Sequence, residues 1–196
     1  LLDQCVGAKA DKALLARMLT LPEFSIIAQA RNTVDPDAIN AVVTSIERAI
    51  LKSCGAKLQT VYDMHQTVTT YTPDPVSMGH RALKATVLKF LCADQGQHGI
   101  SLVKSLYDTA NNMTDRIMAL ANLVDTTSAE REQVLGDFYN RFKAYPLVID
   151  KWFSFQARAA RPGIVDDIRK LAKHPDFTLK NPNRARSLYG AFAMGN

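Results

Sequence analysis

The sequence predicts an all-α protein, an irregular α-superhelix of stacked helix pairs of the HEAT- or armadillo-like solenoid kind. Three observations lead there. Apolar residues recur with the beat of a helix in one segment after another, no stretch keeps the apolar/polar alternation of a strand, and helix-start signals punctuate the chain at short intervals. Hydrophobic residues make up 47% of the 196, which suits a soluble chain with a sizeable core and excludes a disordered one.

Asp35-Pro36 opens the first clear element. An Asp side chain at a cap accepts an orphan backbone N–H, and the donor that proline lacks is not needed at the first helical position. Behind it Ile39, Val42, Val43, Ile46, Ala49 and Ile50 form an amphipathic stripe. Asp74-Pro75 repeats the signal ahead of Leu83, Val87, Leu88 and Leu91. Gly96-Gln97-His98-Gly99 is expected to be a flexible connector after a helix ending near Asp94. Asn112-Met113-Thr114 has the form of a glycosylation sequon and reads as a helix-start cap before Ile117, Leu120, Ala121 and Val124. Thr127 and Glu130 fit a capping box before Val134, Leu135, Phe138 and Phe142. Pro146, Pro162 and Asn181-Pro182 are expected to open further helices. The count is about ten helices on short loops, with no strict repeat period. No linker-like shift in composition divides them, so residues 1–196 are expected to form one helical domain.

Net charge is +5, and the eight basic and three acidic residues from Arg158 onward account for all of it. These charges are spread over several segments without interleaved stacking aromatics, so a solvated basic face is expected and no nucleic-acid partner. No apolar run nears the roughly 18 residues of a membrane span, so no membrane partner is expected either. Cys5, Cys54 and Cys92 are odd in number and far apart, which argues for buried free thiols and a reducing compartment, the cytoplasm. His65, His80, His98 and His174 never fall one helical turn apart, so no pair on one helix can grip a metal. Neither a Gly-x-Ser-x-Gly elbow nor a phosphate-binding loop occurs. Trp152, Phe153 and Phe155, with Phe138, Tyr139 and Phe142, are expected to form an aromatic core between two adjacent helices.

Three phrases carry a resemblance. Asn111-Asn112-Met113-Thr114-Asp115-Arg116 followed by Ala119-Leu120 is the first. The second is Phe138-Tyr139-Asn140-Arg141-Phe142 with Leu147-Val148-Ile149-Asp150-Lys151-Trp152-Phe153 and Gln156-Ala157. The third is His174-Pro175-Asp176-Phe177 with Asn181-Pro182-Asn183-Arg184-Ala185-Arg186-Ser187-Leu188. Together they resemble the C-terminal helical domain of aminopeptidase N-type (alanyl aminopeptidase) zinc metallopeptidases of the gluzincin class. The resemblance implies an accessory domain that caps a catalytic domain of the same polypeptide and encloses the cavity through which peptides reach a zinc ion. It places the zinc-binding His-Glu-x-x-His and the Gly-x-Met-Glu-Asn motif in that catalytic domain, so no catalytic residue, metal ligand or cofactor is expected in this chain. It also implies that Arg186 faces the cavity, with Arg184 as second candidate. The family continues past this segment, so the chain is expected to be a piece cut before the last helices, with an uncovered apolar face that promotes self-association.

Overall fold

A computed structural model describes residues 1–7, 10–66 and 70–195. Among the described residues there are twelve α-helices, one π turn and no strand. The chain divides into two compact units, Leu1–Ser101 and Leu102–Asn196.

The first unit holds α1 (Leu2–Val6), α2 (Lys12–Leu19), α3 (Phe24–Gln29), α4 (Pro36–Met64), α5 (Pro75–Leu91) and the start of α6 (Gln97–Thr109). The expected caps are in place: the Asp35 carboxylate accepts from the Ala38 N–H at 3.0 Å, and Asp74 from Ser77 at 2.9 Å. Hydrogen bonds from Ser77 and Thr72 hold the Asp74 carboxyl well below the usual carboxylate range. Lys89 pairs with Glu47 at 2.7 Å while His80 meets His65, so α4 and α5 run antiparallel. Leu83, Val87, Leu88 and Leu91 of α5 are buried with Leu58 and Val61 of α4. The stripe on the first half of α4 fares differently: Ile39 is buried, but Val42 is 58% and Ile46 43% exposed.

The expected connector around Gly96 is shorter than the sequence suggests. Only residues 92–96 separate α5 from α6, with Gln95 at φ 54°, and His98 and Gly99 are already helical. A Cβ on Gly99 would stand 2.8 Å from the Leu91 carbonyl oxygen and 3.0 Å from the Cys92 Cα. This glycine serves close packing, not flexibility. All three cysteines are free, Cys5 buried and Cys54 and Cys92 half-buried. Burial pushes the Cys92 thiol up to about 12 and raises that of Cys5.

The second unit holds the rest of α6, then α7 (Met113–Leu123), α8 (Ala129–Phe142), α9 (Pro146–Ala157), α10 (Ile164–Leu171), α11 (Pro182–Ala185), the π turn (Arg186–Gly190) and α12 (Ala191–Gly195). Asn112 caps α7, accepting from the Asp115 N–H at 2.9 Å. Two expected starts shift. The cap of α8 is Ser128, accepting from the Arg131 N–H at 3.2 Å, one residue after Thr127. Pro162 stops short of α10, whose cap is Gly163 at φ 81°, a left-handed conformation that glycine adopts without steric cost. Of the six aromatics expected in the core, Phe138, Trp152 and Phe153 are buried and Tyr139, Phe142 and Phe155 are half-buried, and the Trp152 Nε1–H donates to the Leu135 carbonyl at 3.0 Å.

Candidate functional site

In the second unit a polar cluster forms where the Asn181–Gly190 segment lies against α9. Asn181 begins it, its side-chain oxygen accepting from the backbone N–H groups of Asn183 (3.0 Å) and Arg184 (3.4 Å), with Pro182 at the first helical position. Arg184 turns inward and is only 6% exposed. Its Nε donates to the Asp150 carboxylate at 2.5 Å, one Nη to the Asp176 carbonyl at 2.6 Å and the other to the Pro146 carbonyl at 3.2 Å. The guanidinium also lies 5.0 Å from the centre of the Phe153 ring. A buried cation donating from all three of its nitrogens ties the segment to both ends of the first turn of α9.

Arg186 goes the other way. It is exposed and, among the described residues, its guanidinium makes no ion pair or hydrogen bond. It is the first residue of the π turn, in which the Ala191 N–H reaches back five residues to the Arg186 carbonyl. Single π turns inside helices recur at functional sites. Asp150, Lys151 and Ser154 of α9 and Asn183, Arg186 and Ser187 opposite line an open groove of about 340 Å³. Of the two arginines expected at a cavity, the structure thus puts Arg186 in a groove wall and Arg184 beneath it. Sequence reading missed Lys151, Ser154 and Asn183. The available signal was spacing: 150, 151 and 154 share a helix face, as do 183, 186 and 187.

Nearby aromatics brace the wall. Trp152 packs at 5.0 to 5.3 Å between Tyr139, Phe153 and His174. The Tyr139 hydroxyl donates to Asp176 at 2.6 Å, and this bond raises the phenol's pKa.

The histidines do not gather round an ion. His98 meets Gln59 at 2.9 Å, and the His174 Nδ1 accepts from the Asp176 N–H. His65 and His80 are brought together by the α4–α5 hairpin with their Nδ1 atoms 2.8 Å apart, which sequence spacing did not reveal. Nε2 of His65 lies 3.4 Å from the Cys5 carbonyl, and burial, more than the neighbouring His80 and Lys12, lowers the His65 pKa. Among the described residues no three of His, Cys, Asp and Glu are arranged to hold a metal ion, so the residues present do not fit a zinc site. No described helix is long and apolar enough to cross a membrane.

Comparison with known proteins adds the context. The family described as "Domain of unknown function (DUF3458_C) ARM repeats" matches residues 2–196. Aminopeptidase N of Escherichia coli is 33% identical over 188 residues, covering 96% of this chain and 22% of the relative. Aminopeptidase N of Caulobacter vibrioides is 32% identical, covering 97% and 22%, and that of Haemophilus influenzae 33% identical, covering 95% and 21%. The chain therefore spans about a fifth of the length of these relatives. A crystal structure of Legionella pneumophila aminopeptidase A in complex with aspartic acid superposes with a TM-score of 0.85 over 97% of this chain and 23% of that one, at 24% identity. That likeness bears on the fold and agrees with the all-α class of stacked helices expected from the sequence. Matched along nearly its whole length, the chain belongs to the DUF3458_C family of ARM-repeat domains and is a helical domain related to part of aminopeptidase N.

Proposed function

We propose that this chain is the helical accessory domain of a zinc aminopeptidase, a cap on its catalytic part that lines the access route of peptide substrates. The carrying observation is coverage: relatives named aminopeptidase N align along at least 95% of this chain, while the chain accounts for about a fifth of each. The zinc, which would activate the water that removes an N-terminal residue, belongs in this reading to the remainder of the polypeptide. The exposed apolar stripe of α4 suits a face covered by another part of a larger protein. Arg186 then faces the peptide route, and Arg184 holds the segment that presents it.

The test expresses the remainder of the polypeptide separately and follows hydrolysis of an alanyl fluorogenic peptide with and without this chain. This chain with added zinc is the control. Adding it is expected to restore or reshape activity while the control stays silent. Activity indifferent to the addition would remove the accessory role and favour a free-standing helical scaffold that binds another protein.

A further inference from the structure

We infer that His65 and His80 form a proton-operated latch: while His65 is neutral the pair holds α1 and the first turn of α2 on the α4–α5 hairpin, and a proton on the His65 Nδ1 releases them. The sense of the hydrogen bonds follows from the neighbours. Nε2 of His65 lies 3.4 Å from the Cys5 carbonyl of α1, and a carbonyl only accepts, so Nε2 carries the hydrogen. A neutral ring then leaves Nδ1 bare, and the His80 Nδ1, 2.8 Å away, donates to it. One chain of bonds thus runs from α5 through the end of α4 to α1. Lys12 at the start of α2 joins it, its ammonium donating to the same Cys5 carbonyl at 3.3 Å and to the Gly7 carbonyl. There α2 sits directly on α5: a Cβ on Gly79 would stand 3.1 Å from the Ala13 nitrogen and 3.4 Å from the Lys12 Cβ.

A proton on the His65 Nδ1 removes the acceptor. Two N–H groups then face each other at 2.8 Å, and the new charge lies in a buried site beside the Lys12 ammonium. Among the described residues no carboxylate hydrogen-bonds to either ring. The acids on the elements packed around the pair are engaged elsewhere: Asp3 of α1 with Lys57 of α4, Asp63 of α4 with Gln59, Asp74 at the head of α5 with Ser77, and Asp11 with the Leu14 N–H. Arg81, next to His80, adds positive charge while donating to the Thr72 carbonyl, and α3 carries no titratable side chain. The Cys5 thiol, its pKa raised by burial, brings no negative charge. Burial, with His80 and Lys12 behind it, already lowers the His65 pKa. The released parts are small. With 5 residues in α1 and 8 in α2, both are too short to persist as isolated helices in water, so they depend on this docking. Their departure uncovers Cys5 and Leu15, which are buried in the closed form. The latch makes the α1–α2 edge acid-labile while the α4–α5 hairpin stays folded.

The test labels the thiols of the full 196-residue chain with a dithiodipyridine, which reacts in mild acid as well as at neutral pH, and reads Cys5 and Cys92 separately by peptide mass. Protection is the labelling rate of the urea-unfolded chain divided by that of the folded chain at the same pH. Between pH 7 and 5 the protection of Cys5 is expected to fall about ten-fold, the weight of one proton taken up across one pH unit. Protection of Cys92, in the α5–α6 corner, is expected to stay level. His80→Gln is expected to abolish the fall, because an amide can turn its oxygen to a protonated His65 and keep the bond. His65→Gln removes the titrating ring and is expected to do the same. Where His65→Gln, at a buried position, melts below the parent at pH 7, His80→Gln at its half-buried position decides alone. Cys5 protection that ignores pH, that falls in step with Cys92, or that still falls in the deciding variant overturns the inference.

Discussion

Arg184 and Arg186 stand two positions apart at the start of one helical segment, a separation that turns a helix by about 200°, so one side chain enters the fold as the other leaves it. Their consequences for stability therefore differ. Arg184→Ala strips the half-buried Asp150 carboxylate of its partner and frees two backbone carbonyls, and is expected to destabilise the second unit by about 3–5 kcal/mol in a urea titration. Arg186→Ala is expected to stay within about 0.5 kcal/mol of the parent. Similar losses from both would mean that Arg186 has a structural partner after all. His65 makes a different prediction. It is buried, its Nδ1 lies 2.8 Å from that of His80, and burial lowers its pKa below the ordinary value of 6.5. The unfolded chain thus takes up a proton at a pH where the folded chain resists it. Stability from this group is complete above pH 6.5 and is lost as pH falls through the lowered folded value. The urea midpoint of the first unit is expected to drop between pH 7 and 5, and His65→Gln to flatten that slope. The depressed carboxyls Asp3 and Asp74 titrate below this window, so they do not mask it. An unchanged slope in the variant would assign the pH dependence elsewhere.

The helix starts separate what local chemistry settles from what packing settles. Asp35, Asp74, Asn112 and Asn181 were legible as caps because each acts on an N–H two or three residues ahead. Local chemistry favours Thr127, which has with Glu130 a capping box that Ser128 lacks, yet the structure uses Ser128. Ser128→Ala is therefore expected to cost about 1 kcal/mol and Thr127→Ala close to nothing, a contrast readable from paired thermal melts. Gly99 carries the second prediction at this scale. In an open helix Gly→Ala gains about 1 kcal/mol of propensity, yet here the new methyl meets the Leu91 carbonyl oxygen at 2.8 Å. Gly99→Ala is expected to destabilise by about 1–3 kcal/mol, and a stabilised variant would show that the α5–α6 corner yields freely. The same glycine explains one misreading: flexibility and close approach ask for the same residue, and only the fold distinguishes them. The groove was illegible for a related reason. Arg186 was singled out through resemblance, but Lys151 and Ser154 lie some thirty residues upstream and become its neighbours only when α9 packs on the π segment. His65 and His80 likewise meet only because α4 and α5 fold back on each other.

For the whole molecule the question is what covers its apolar surface. The stripe of α4 was fully legible as periodicity, yet a stripe says only that a face is apolar, not that the chain itself supplies the partner. In the first unit Val42 and Ile46 stand in solvent, and Val76 and Met78 at the start of α5 are 69% and 55% exposed. Returning a Val or Ile side chain from water to an apolar contact is worth about 1.5–3 kcal/mol. A symmetric contact between two copies buries each side chain twice, so weak self-association of the isolated chain is expected. The net charge of +5 opposes association of two copies through like-charge repulsion, and salt screens that repulsion while leaving apolar burial intact. Sedimentation equilibrium should therefore show an average mass that rises with protein concentration and rises further with added salt. Val42→Lys combined with Ile46→Lys replaces the centre of the stripe with solvated charge at positions already exposed, so it should restore the monomer without lowering the thermal midpoint. A wild-type chain that stays monomeric at high concentration and high salt would show that this stripe is too small or too curved to drive association. A variant that still associates would move the contact to another face.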